Sequence, residues 1–108
     1  MSETALSKAI REALILRGFI VERIQSGMLP VRYGNETHWV HCASSGTPDL
    51  WCSVAGGGFL EVTVPGKKPS SVQREWHRRA EKHHVRVAVV DSVREALAVV
   101  RAWEQAGR

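Results

Sequence analysis

A chain of 108 residues with a 44% hydrophobic share has room for one domain with a core on both faces of a small sheet, and a second domain is not expected. Fifteen Lys and Arg against eleven Asp and Glu give a formal charge of +4, and Lys67, Lys68, Arg74, Arg78, Arg79, Lys82 and Arg86 crowd one third of the chain, which suits a polyanion such as DNA or RNA or, more plainly, a solvated basic helix face. No apolar run approaches the roughly 20 residues of a membrane span, no targeting segment precedes the first helical pattern, and Cys42 and Cys52 lack metal-ligand spacing, so a soluble, intracellular (cytoplasmic) protein with reduced thiols is expected.

From Glu3 to Arg17, Ala5, Leu6, Ala9, Ile10, Ala13, Leu14 and Leu16 recur at helical spacing, with Ser2 as N-cap and Gly18 at the end. Phe19 to Ile24 reads as a strand stopped by Gln25-Ser26-Gly27. Met28 to Thr37, with Pro30, Gly34 and Asn35, reads as a loop with a short extended piece at Pro30 to Tyr33. His38 to Ala43, Asp49 to Val54 and Gly58 to Val64 are three strands expected to pair antiparallel, the last two joined by a hairpin connection through Ala55-Gly56-Gly57-Gly58. After Pro65-Gly66-Lys67-Lys68-Pro69, Ser70 or Ser71 caps a helix to about His84, with Val72, Trp76 and Ala80 on its buried face. The nearly continuous apolar run Val85 to Val90 predicts a central strand. Asp91-Ser92 caps a last helix with Val93, Ala96, Leu97, Val100 and Trp103 inside, ending by Gly107. The fold class implied is α/β, a mixed sheet flanked by helices, with the strand after the Ser70 helix parallel to the one before it.

Asp49 and Glu61 stand on two strands that the glycine connection folds back beside each other. Paired so, their carboxylates converge on one divalent cation, which takes hard oxygen ligands and keeps several waters. A carboxylate within the apolar run Phe59 to Val64 is costly to bury unless something cationic meets it, which favours a site over a simple partner for an arginine. Asp49 alone would read equally well as a turn residue capping its own backbone after Pro48. His38, His41, His77, His83 and His84 have no cysteine or carboxylate at zinc spacing, and structural or nucleic-acid-facing roles are expected for them. Trp39, Trp51, Trp76 and Trp103 read as core or subunit-contact residues; self-association would bury Trp39 and Trp51 if their neighbouring strands share an exposed face.

Three segments carry a family resemblance: Gly46-Thr47-Pro48-Asp49-Leu50, Glu61-Val62-Thr63 and Pro69-Ser70-Ser71-Val72-Gln73. Together they resemble the PD-(D/E)XK nuclease superfamily, and within it the small virus-type replication-repair nuclease domain, VRR-NUC. The likeness extends to Glu3 on the first helix, to Arg23-Ile24-Gln25-Ser26-Gly27, and to Val89-Val90-Asp91-Ser92 before the last helix.

The resemblance implies a metal-dependent, structure-selective DNA endonuclease. Asp49, Glu61 and the Val62 carbonyl would hold Mg2+ or Mn2+, with Glu3 completing the shell through a water. Gln73 would position the attacking water or the lysine partner. Ser26, Lys67, Lys68, Arg74 and Arg78 are the nucleic-acid-binding candidates, and a homodimer acting on branched DNA such as a four-way junction is what stand-alone members imply.

Thr63 departs from the pattern, since the family carries a lysine there to orient or deprotonate the water and offset developing charge. Three readings stand beside one another. Lys67 or Lys68 reaches into the vacancy, a second metal or altered surroundings carry a slower reaction, or the domain binds DNA without cleaving it. An RNA-processing nuclease on the same core is a further class, which fold alone does not separate.

Overall fold

Leu6, Ile10 and Leu14, one per turn, bury one stripe of the first helix, α1 (Glu3–Leu16), and the Ser2 hydroxyl caps it by accepting from the Ala5 N–H at 3.1 Å. The structure is a computed structural model that describes residues 1 to 107, the His41 side chain excepted. After α1 come β1 (Val21–Arg23), β2 (Met28–Tyr33), β3 (Glu36–His41), β4 (Leu50–Cys52), a short 3-10 turn (Val54–Gly56), β5 (Gly58–Val62), α2 (Ser71–Lys82), β6 (Val87–Val90) and α3 (Val93–Ala106).

The main sheet has the order β1-β4-β5-β6, antiparallel except for the parallel pair β5 and β6. This is the mixed, helix-flanked α/β sheet that the pattern of elements implies. Leu50, Cys52, Leu60, Val62 and Val90 form one face and pack with Leu6, Ile10, Leu14, Ala96 and Val100 of α1 and α3. Because side chains alternate along a strand, Phe59, Glu61 and Thr63 turn to the other face. There α2 covers them, with the Phe59 and Trp76 rings edge to face at 5.1 Å.

Four expectations are corrected. The loop expected from Met28 to Thr37 is instead strand β2 and the start of β3, closed by the two-residue Gly34-Asn35 turn, Tyr33 pairing with Glu36. Pro30 is tolerated because a two-stranded ribbon has free edges where a missing N–H is harmless.

The strand expected at His38 to Ala43 therefore pairs with β2 and not with β4, and only a Ser26–Ala43 bridge continues beyond the ribbon. Trp39, 63% exposed, and Trp51 consequently belong to different sheets and share no face.

The strand expected to be central, β6, is an edge. Its apolar run reflects Ala88 and Val90 packing into the core on one face, while Val89 on the other face is 37% exposed.

Val72, expected inside α2, is 52% exposed. The first turn of α2 rests on the loop at Gly46 through its backbone: a Cβ at Gly46 would lie 2.5 Å from the Val72 carbonyl oxygen.

Candidate active site

The pairs Leu50–Leu60, Trp51–Phe59 and Cys52–Gly58 fix the register of β4 and β5, and one further step in that register sets Asp49 opposite Glu61. Asp49 lies just beyond the end of β4, where the ladder has no backbone partner left for Val62. Its side chain supplies one, with Oδ2 accepting the Val62 N–H at 2.8 Å. From the other side the Ile24 N–H donates to the Asp49 carbonyl at 2.8 Å, and Pro48 before it is buried. Asp49 is thus held at both backbone and carboxylate, while its side chain stays half-buried.

Glu61 is 0% exposed. Its Oε2 accepts from Gln73 Nε2 at 3.1 Å, and its Oε1 lies 3.2 Å from His77 Nε2. Both partners come from α2, one turn apart, so a single helix face meets both oxygens. The sequence explains how Gln73 is oriented. In the capping box that starts α2, the Ser70 hydroxyl accepts from the Gln73 N–H while Gln73 Oε1 accepts from the Ser70 N–H at 2.7 Å. With its oxygen used at the helix start, the Gln73 amide nitrogen is left for Glu61. Gln73 therefore acts on the carboxylate itself, where the sequence reading has it holding a water or a lysine.

Burial is the main force that pushes the Glu61 carboxyl up to about 9, followed by its hydrogen bond to Asp49, the Asp49 charge and the charge of Glu3. At neutral pH Glu61 is therefore protonated. Burial also pushes the His77 imidazole down. The His77–Glu61 contact has the separation of an ion pair, yet both partners are driven towards neutrality, so it is a hydrogen bond between uncharged groups. Among the described residues no buried polar side-chain atom is left without a partner.

The remaining candidates are placed less centrally. Glu3 is exposed in the first turn of α1 and reaches Glu61 through its charge. Thr63, 7% exposed, follows Glu61 by two on the same face, and its N–H extends the parallel ladder to Val90. Lys67 and Lys68 are exposed in the turn after β5, and among the described residues no Lys or Arg nitrogen lies within 4.0 Å of Asp49 or Glu61. Arg74 donates to the Pro69 carbonyl, Arg78 pairs with Glu75 at 2.9 Å, and Ser26 is exposed beside the Ala43 bridge. His77 is the site residue that sequence reasoning missed; the signal was its spacing of four from Gln73 on one helix face.

The donor set fits a hard divalent cation. Glu61 holds a proton that such an ion would displace, and Asp49 Oδ2 and Glu61 Oε2 each keep a second lone pair beyond the hydrogen bond they accept. The Val62 carbonyl lies along the same edge of β5 as the N–H that meets Asp49. Among the described residues no cluster of three or more His, Cys, Asp or Glu surrounds the position. Among the described residues no helix is long and apolar enough to cross a membrane.

No protein-family model matches the sequence, and no curated protein matches it. Among solved structures, a VRR_NUC domain aligns with 92% of this chain and 94% of its own at a TM-score of 0.63 and 23% identity. The order of helices and strands that places Asp49 opposite Glu61 under α2 is thus the fold of a VRR_NUC domain.

Proposed function

We propose that the chain is a nuclease of the VRR-NUC type that hydrolyses phosphodiester bonds of DNA with Mg2+ or Mn2+, at a rate limited by Thr63. The observation that carries this reading is the fully buried Glu61, set opposite Asp49 and met by Gln73 and His77, where burial pushes its carboxyl pKa up. Asp49, Glu61 and the Val62 carbonyl would hold the ion, which polarises the scissile phosphate and lowers the pKa of the attacking water. Gln73 and His77 hold the Glu61 carboxylate at a fixed angle from α2. Thr63 presents a hydroxyl where a cation would offset developing charge, and its loss is the reason to expect slow turnover. The resemblance to VRR-NUC, together with exposed Trp39, Met28 and Leu29 on the β2–β3 ribbon, supports a homodimer acting on branched DNA.

A second reading, a DNA-binding homologue that does not cleave, is favoured by the distance of Lys67 and Lys68 from the acid pair. A labelled four-way junction and a linear duplex, incubated with Mn2+ and either wild type or Thr63→Lys, separate the two. Cleavage by both proteins, faster by about 100-fold or more with the lysine, supports the slow enzyme. Cleavage by Thr63→Lys alone supports the binding homologue, and cleavage by neither, with no ion bound, defeats the site.

A further inference from the structure

Between α1 and the edge strand β1 lies a cleft of about 320 Å³ whose walls carry Lys8, Arg11 and Arg23 and a single acid, Glu22. Lys8 and Arg11 are neighbours one turn apart on α1, and Arg23 faces them from β1, so the three cations converge from two elements instead of radiating from one helix face. None of the three forms an ion pair within 4.0 Å among the described residues. Arg11 is braced by its Nε, which donates to the Val21 carbonyl at 3.0 Å and leaves its terminal nitrogens for another acceptor. Ser7, nearly buried, adds a hydroxyl to the wall.

The cleft opens on the α1 face of the sheet and the acid pair on the α2 face, and the two meet where β1 and β4 end. Arg23 stands opposite Leu50 in the β1–β4 register, Leu50 lines the cleft and follows Asp49 directly, and the next residue on β1, Ile24, donates to the Asp49 carbonyl. At the other end Thr4, also on the wall, follows Glu3.

We propose that this cleft binds the sugar-phosphate backbone of the nucleic acid beside the bond held at Asp49 and Glu61. The inference rests on the nuclease reading and assigns a second cationic contact in addition to the Lys67 to Arg86 surface. Cations distributed along a helix and a strand suit a row of phosphates better than one small anion, and the strand end shared with Asp49 brings such a row to the edge of the site.

The test is fluorescence anisotropy of a labelled duplex and a labelled junction in EDTA across a salt series, with thermal melts as the check on folding. Lys8→Gln combined with Arg23→Gln is expected to weaken binding about tenfold and to flatten the slope of log affinity against log salt by about two. Glu22→Gln, which removes the one acid in the cleft, is expected to tighten binding several-fold. That variant decides the matter if the double variant melts early.

Wild-type affinity and slope in both variants, while Lys67→Gln with Lys68→Gln still weakens binding, overturns the cleft and leaves the nuclease reading standing. Absence of binding by wild type to DNA and RNA at low salt overturns both.

Discussion

Glu61→Gln isolates the proton that the acid pair holds. The folded carboxyl titrates at about 9 against an ordinary 4.5, so the folded state binds the proton more tightly than the unfolded chain. The sign follows directly: the contribution to stability is fully present below pH 4.5 and is lost as pH rises through 9. Each pH unit in that window costs about 1.4 kcal/mol, or about 3 kcal/mol between pH 5 and 7, a large part of an ordinary domain's stability.

Glutamine removes the titration and keeps the shape. Its amide nitrogen can donate to Asp49, its oxygen can accept from Gln73, and His77 can change tautomer to suit whichever atom it meets. Urea unfolding followed by tryptophan fluorescence in EDTA, at pH 5, 7 and 8.5, should show the two proteins diverging as pH rises, the variant becoming the more stable. Parallel curves across the whole range would falsify the buried, protonated Glu61 and remove the main support for the site.

Three further outcomes follow from the same geometry. Calorimetric titration with Mn2+ in two buffers of different ionisation heat should show about one proton released per ion at pH 7, with affinity rising about tenfold per pH unit towards 9; pH-independent affinity would place the ion elsewhere. Asp49→Asn should lose ion affinity yet melt near the wild type, because its side-chain oxygen still accepts from the Val62 N–H, whereas Asp49→Ala should also lose about 1–3 kcal/mol by leaving that N–H unpaired. Gly46→Ala should destabilise by more than about 1 kcal/mol, since φ is +87° there and the new Cβ would meet the Val72 carbonyl oxygen at 2.5 Å; an unchanged melting temperature would show that α2 moves away without loss.

The parts of the fold that were legible in the sequence are those where local pattern and tertiary role agree. Ser2, Ser70 and Ser92 cap the three helices as their position before an apolar stripe predicts, and β4 and β5 pair across the glycine turn so that Asp49 meets Glu61. The β2–β3 ribbon was not legible, because Pro30, Gly34 and Asn35 signal a loop and a hairpin alike, and the ribbon buries too little to leave an alternating pattern. Strand β6 is an edge in spite of its apolar run, because such a run reports what packs on a strand's faces and not whether strands flank it. His77 was hidden for a different reason. A histidine on an exposed-looking helix becomes a partner of Glu61 only once α2 is docked on the β5 face, and its spacing of four from Gln73 says only that the two share a helix face.

Stability alone does not account for Glu61. An apolar side chain of similar volume would bury without losing hydration and without the pH-dependent penalty, and such replacements are often neutral or stabilising. Here the chain instead supplies a donor for each oxygen and fixes one of them through the capping box, so the start of α2 and the aim of the carboxylate are one construction. Thr63 lies outside that construction: it follows on the strand, and the carboxylates' hydrogen bonds go to Val62, Gln73 and His77. Loss of a lysine at position 63 can therefore slow the chemistry while the carboxylates stay in place. The expected consequence is that Thr63→Lys changes the cleavage rate far more than any other carboxylate property, raising turnover while lowering Mn2+ affinity modestly through the added positive charge. A lysine that left the rate unchanged and the affinity unchanged would mean that position 63 does not face the site at all.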